Sequence, residues 1–240
     1  MQIAKLWYKN QHKITFISVL LLAYLLSWIP WIKIPFTWIE TFFHEFSHGI
    51  AGVLTGGRVV QLVLEWTGSG RCYVEGGWVG VVAFAGYSGA SISGVLIYLI
   101  ATGASPKFSH SIAAILAITV LLVMVLWVRD ASSLLICLVI SSIFWSAMKF
   151  AGVLPVNIFL QFIAMSVLLN ASEAPLALLR GQQLGDSAVL AKVTGIAEFY
   201  WILAWLFIAI LGIVFLWYRT FHPQKKRKRR RISLLARVRK

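Results

Sequence analysis

Acidic residues and cysteines are scarce in this chain of 240 residues, and each shortage excludes something. Only eight Asp and Glu stand against 22 Lys and Arg, and charged residues make up 12% of the total. A water-soluble domain carries about twice that share. With 60% hydrophobic residues and a mean hydropathy of +0.83, the composition is that of a multi-span helical membrane protein. The two cysteines, Cys72 and Cys137, exclude a disulfide framework and a CxxC zinc site. Cys137 sits in an apolar run as a small packing residue, and Cys72 in a polar loop. The excess of positive charge is local. Residues 219–240 hold eleven Lys and Arg and no acid, which leaves +3 of the net +14 for the rest. The run 225–231 reads as a disordered juxtamembrane tail that favours the cytoplasmic face and anionic lipid headgroups. It lacks the interleaved aromatics of a nucleic-acid binder, so no nucleic-acid partner is expected.

Seven apolar segments can be read along the chain, at about 14–32, 37–54, 78–101, 111–128, 131–148, 153–170 and 196–218. Residues 1–218 are expected to form one all-α polytopic domain of six or seven transmembrane helices, and 219–240 the tail. The first segment is long, ends in Trp28 and Trp31 and has no small-residue cleavage site, so it reads as a span and not as a removable signal. Pro30 and Pro35 bracket an expected turn before the second helix. Between the second and third segments, residues 58–75 turn β-branched and partly alternating around Thr67-Gly68-Ser69-Gly70, which predicts a β-hairpin. Arg129 and Asp130 mark a short interfacial turn, and 171–194 a polar break. Seven crossings would put the two basic termini on opposite sides. One segment is therefore expected to be re-entrant or fused with a neighbour, with 131–170 the leading region.

The second segment carries His44-Glu45-Phe46-Ser47-His48. On a helix the two imidazoles project from one face a turn apart, the spacing that two nitrogens need to converge on one tetrahedral Zn²⁺. Glu45 beside them can act as general base toward a water. Ionisable groups at hydrocarbon depth are costly, and three within five residues point to function over a satisfied helix seam. A hydrolytic zinc site has three protein ligands and one open position. The motif supplies two, and spacing alone does not choose the third among Glu40, Glu65, Glu75, Asp130, Glu173, Asp186 and Glu198.

The stretch His44 to Gly52, followed by Thr55-Gly56-Gly57-Arg58-Val59-Val60, resembles the site-2 protease clan of intramembrane zinc peptidases, in particular its bacterial peptidase-like membrane branch. Gly86-Tyr87-Ser88-Gly89 resembles that branch's G-Y-x-G helix. Residues 185–195, Gly-Asp-Ser-Ala-Val-Leu-Ala-Lys-Val-Thr-Gly, resemble its S-D-A-x-x-L-A-x-x-T-G pattern. The likeness covers roughly 37–95 and 170–205. It implies a zinc-dependent endopeptidase of a bacterial plasma membrane or similar, acting on membrane-protein substrates. His44, His48 and Asp186 would be metal ligands, Glu45 the general base and Asn170 an oxyanion-side support. The clan's L-D-G order is altered here to Leu184-Gly185-Asp186.

A helical substrate must unwind before cleavage, and the hairpin offers strand addition to the extended segment, with Val59, Val60, Leu62 and Val63 as pairing residues. Two other readings stand beside this one. A non-catalytic scaffold would keep the metal helix for structure or sensing. A metal transporter would use His44 and His48 in transit, but the later spans offer it almost no polar pathway.

Overall fold

A computed structural model describes residues 2–149, 155–179 and 185–222. The run 225–231 and most of the tail, the break at 152–154, and Arg180, Gln182, Gln183 and Leu184 lie outside these residues. The elements in chain order are α1 (Gln2–Ser27), α2 (Pro30–Leu54), β1 (Arg58–Leu64), β2 (Gly70–Glu75), α3 (Val79–Gly103), α4 (Pro106–Trp127), α5 (Ala131–Lys149), α6 (Val156–Leu178), α7 (Asp186–Thr194) and α8 (Glu198–Phe221). The expected architecture is present: apolar helices with one antiparallel hairpin directly after the helix that carries the motif.

Among the described residues, five helices are long and apolar enough to cross a membrane: α3, α4, α5, α6 and α8. The count rises to six if α1 and α2, bent by 112° at their junction, form one broken span. This corrects two expectations. Segments 131–148 and 153–170 belong to full-length helices, so the discontinuity lies between α1 and α2. Helix α2 is not a span by itself because Lys33, Glu40, Glu45 and the two histidines dilute its apolar content.

The turn, moreover, falls at Trp28 and Ile29 and not between the prolines. Pro30 occupies the first helical turn of α2, where its missing N–H costs nothing. Pro35 lies inside the helix and forfeits one backbone bond there. The polar stretch after Asn170 also stays helical as far as Leu178, with Lys33 Nζ of α2 2.5 Å from Glu173 Oε2.

Buried residues make up 67% of the most apolar window of α6 but only 22% of that of α8. Helix α6 is therefore the inner member of the bundle, and α8 is a lipid-facing wall. Close approach to α6 depends on a small residue, since a Cβ on Gly94 of α3 would lie 2.8 Å from Leu168 Cγ and 3.1 Å from the Ala164 carbonyl oxygen. Packing without a hydrophobic driving force in lipid relies on such contacts.

The hairpin pairs Arg58 with Glu75 and Leu64 with Gly70, with a bulge between Val59 and Gln61. Its inner face lies on α2, where Cβ atoms on Gly49 and Gly52 would strike Val59 and Val74. Both ends of the hairpin are tied. Trp78 N donates to Thr55 Oγ1 (3.0 Å) at one end, and Thr41 Oγ1 donates to the Gly68 carbonyl (2.6 Å) at the other. The Leu64 N–H, near that second end, donates to Ser133 Oγ of α5 (2.7 Å).

The turn between α4 and α5 serves two helix ends. Arg129 donates to the Val125, Leu126 and Val128 carbonyls that end α4. Asp130 accepts from the Ser133 N–H (2.8 Å) and from the hydroxyls of Ser132 and Ser133, capping α5. Burial opposes the charged form, but these hydrogen bonds prevail and hold the Asp130 carboxyl below its ordinary range. Its stabilising effect is therefore complete above the unfolded-state value and fades as pH falls through the folded one. Asp130→Ala is expected to cost about 0.5–2 kcal/mol at neutral pH. Thermal unfolding in detergent should show the gap from the parent closing as the pH is lowered below about 4.

Candidate metal centre

Three side chains from two distant parts of the chain meet at one point. His44 Nε2 and His48 Nε2 lie 3.0 Å apart, and Asp186 Oδ2 is 3.1 Å from the first and 3.2 Å from the second. The two histidines share one face of α2. Asp186 opens α7 directly after Gly185, whose φ of +120° suits glycine and lets the chain turn the carboxylate back into the bundle.

No other group of three or more His, Cys, Asp or Glu with this closeness occurs among the described residues. The triangle fits a metal. A tetrahedral zinc with bonds of about 2.0–2.1 Å has ligand–ligand edges of about 3.3–3.4 Å, so these donors need only spread apart by a few tenths of an ångström. Two imidazoles and one carboxylate, with a fourth position open to a cavity, form a donor set of hydrolytic zinc sites.

The surroundings orient the ligands. His48 Nδ1 lies 2.7 Å from the Val82 carbonyl oxygen of α3, which fixes that ring through its other nitrogen. The His44 ring stands edge-on to Tyr87 at 4.3 Å, and Tyr87 leans on Trp205 of α8 at 4.8 Å. Trp205 is anchored in turn by donation to the Phe84 carbonyl (3.1 Å). Ser187, next to Asp186, donates to Glu198 Oε2 (2.8 Å) and ties α7 to α8. Burial disfavours an Asp186 carboxylate, yet the two imidazoles hold it well below the usual range.

Gly86 closes the cradle. A Cβ there would lie 2.5 Å from His48 Nε2 and 2.6 Å from His44 Nε2, the donor atoms themselves.

A cavity of about 520 Å³ opens beside the triangle, and Glu45 lines it together with His44, His48 and Asp186. The facing wall is β2, from Gly70 to Val74, with Val79, Val82 and Ala83 of α3 and Val189 of α7 adding apolar surface. Cys72 lies in this wall. Burial, with the charge of Glu45 nearby, pushes its thiol up to about 12, so it faces the cavity as a neutral group.

Other residues named from the sequence lie elsewhere. Asn170 is buried against a second, small cavity bounded by Ser27, Lys33 and Phe36. Val59, Val60, Leu62 and Val63 do not line the metal cavity; the strand that does is β2. Glu40 is buried one turn before His44, and its Oε1 lacks a hydrogen-bond partner. The sequence reading missed Gly70, Arg71, Tyr73 and Val82. The β2 residues could have been found by asking which hairpin strand returns toward the motif. Val82 acts through a backbone oxygen and has no side-chain signal.

Gly70 makes a sharp test of the wall. An added Cβ would lie 2.7 Å from Glu45 Oε1 and from Thr41 Cγ2. Gly70→Ala is expected to displace Glu45 and lower turnover about tenfold, the order that an overpacking strain of about 1–3 kcal/mol gives. Zinc content, read by elemental analysis, should stay at the parental level.

A polytopic membrane bundle holding a His/His/Asp metal triad defines the class. The model of one family, described as peptidase M50B-like, matches residues 17–217, and the chain belongs to that family. No curated protein and no solved structure matches it.

Proposed function

We propose that the chain is a zinc-dependent intramembrane endopeptidase that hydrolyses peptide bonds of membrane-protein substrates. One observation carries this reading: the three donor atoms and the Glu45 carboxylate line the same open cavity inside an apolar bundle. Family membership supports it.

His44, His48 and Asp186 would hold the ion. Zinc bound there supplies Lewis-acid polarisation of the scissile carbonyl and makes a bound water more acidic. Glu45 takes a proton from the attacking water as the hydroxyl oxygen bonds to the carbonyl carbon. The same carboxyl then returns the proton to the amine nitrogen as the C–N bond breaks. The low-dielectric surround strengthens these electrostatic interactions, and the open cavity lets water in.

The hairpin orders the substrate. Strand β2 has only β1 beside it in the sheet, and it forms the cavity wall. We therefore place strand addition on β2, where an unwound peptide can exchange its lost helical bonds for ladder bonds. Val59, which meets Gly49, and the buried Leu62 then act by seating the hairpin, while Val60 stands exposed at the bulge.

The test uses purified full-length chain in proteoliposomes with a single-span reporter. Cleavage is expected, loss on stripping the metal with a chelator, and recovery on adding zinc. Stoichiometric zinc without cleavage of any of a panel of reporters would favour the non-catalytic scaffold.

A further inference from the structure

Eight carboxylates occur in the chain, and all but one are accounted for by what they touch. Glu65, Glu75 and Glu173 pair with Arg71, Arg58 and Lys33. Asp130 caps α5, and Glu198 accepts from Ser187. Asp186 lies on the two imidazoles, and Glu45 lines the open cavity. Glu40 is the remaining one. It is 3% exposed, it does not line the metal cavity, and its Oε1 has no hydrogen-bond partner. A buried carboxylate oxygen left without a partner bears the full desolvation penalty of the group, so its presence calls for an explanation. Nor is Glu40 a further ligand, because the close-set donors are His44, His48 and Asp186.

An unmet donor lies one turn further along α2. A histidine that gives its Nε2 lone pair to a metal is neutral and carries its proton on Nδ1, where it is a donor. At His48 that nitrogen is 2.7 Å from the Val82 carbonyl oxygen. At His44 the polar contacts are made by Nε2, to His48 and Asp186, and Nδ1 has no hydrogen bond among the described residues. Residues four apart on a helix are neighbours, with Cβ atoms about 5–6 Å apart. Helical side chains lean toward the N-terminus, so the His44 ring stands over the turn that carries Glu40. The two groups also act on one another electrostatically: His44 attracts the Glu40 charge, and Glu45 repels it. Lys33, the lysine of the same helix, is committed to Glu173.

We propose that Glu40 is the positioning residue for His44: its carboxylate accepts the Nδ1 proton of that ring and holds, for the metal, the histidine that lacks a backbone partner. Outer partners of this kind keep a metal-binding imidazole in one tautomer and one orientation and make it a stronger donor to the ion. Both histidines are then set by α2 and α3, His48 through a backbone oxygen and His44 through a side chain of its own helix. Only Asp186 depends on how α7 lies. Glu40 touches neither the cavity nor the reacting atoms, so its effect passes through the ring. The inference rests on the metal reading of the triad and not on cleavage.

The experiment measures zinc affinity by competition with a chromogenic chelator on the purified full-length chain in detergent, for the parent, Glu40→Met and Glu40→Gln. Methionine keeps the length of the side chain but offers only a weak acceptor. Its affinity is expected to fall about 10–100-fold, the effect of removing such an outer partner. Glutamine keeps an amide oxygen that can accept the proton, so its affinity is expected between the other two. Thermal melting of the metal-free chain separates this role from a packing one. Replacing an unpartnered buried carboxylate by an apolar side chain removes a desolvation penalty, so metal-free Glu40→Met should melt at or above the parental temperature. Affinity of Glu40→Met within about threefold of the parent, well inside that range, would overturn the assignment. So would equal losses in the two variants, or a metal-free Glu40→Met that melts well below the parent. A parent that binds no zinc would remove the metal reading itself, and this inference with it.

Discussion

Glu45→Gln is expected to lower reporter cleavage about 10²–10⁴-fold, the range that positioned general acid–base groups supply, while zinc content stays at the parental level. The amide keeps the shape of the carboxylate but cannot accept the proton of the attacking water. Glu45 is buried and lines the cavity beside the three donors, and it is not one of them. Its removal therefore separates catalysis from metal binding. Elemental analysis and turnover on the same purified sample give the two readouts. Cleavage at the parental rate in a zinc-loaded variant would refute the assigned role.

Gly86→Ala acts on the opposite side of the same ion. The new methyl group would occupy space 2.5–2.6 Å from the two histidine donor nitrogens. Relief requires the rings to swing or α3 to retreat. The first breaks the contact between His48 and the Val82 oxygen; the second loosens a helix that also abuts α6 and α8. An overpacking strain of about 1–3 kcal/mol corresponds to zinc binding weakened about 5–150-fold. Competition with a chromogenic chelator measures this, and unchanged affinity would show that the cradle does not shape the site. Cleavage at saturating zinc should recover in part, which distinguishes this variant from Glu45→Gln.

The centre of the molecule was legible in the sequence because its signals are local. Two histidines four apart on an apolar helix need only helical periodicity, and the glycine-rich turn with β-branched flanks needs only strand alternation. Asp186 was one of seven acids by spacing, and resemblance separated it; the fold then places its Oδ2 within 3.2 Å of both imidazoles.

What was not legible depends on contacts between segments. Pro30 and Pro35 signalled a turn between the first two segments, but hydropathy runs unbroken through Trp28 and Ile29, so neither its position nor its angle of 112° could be read. The polar residues after Asn170 suggested a break, yet Glu173 finds Lys33 140 residues away and the helix continues. Which hairpin strand faces the metal depends on how the sheet lies on α2, and that is set by the fit of Val59 and Val74 against Gly49 and Gly52.

The ties at the two ends of the hairpin have a consequence for how a guest peptide is received. A ribbon fixed through Thr55 at its root and through Thr41 and Ser133 near its tip cannot swing aside as a flap. An arriving segment meets a stationary template whose ordering entropy was spent during folding, so the entropy lost on docking is mainly its own. On the strand-addition proposal, the sheet is the anvil against which the peptide is straightened.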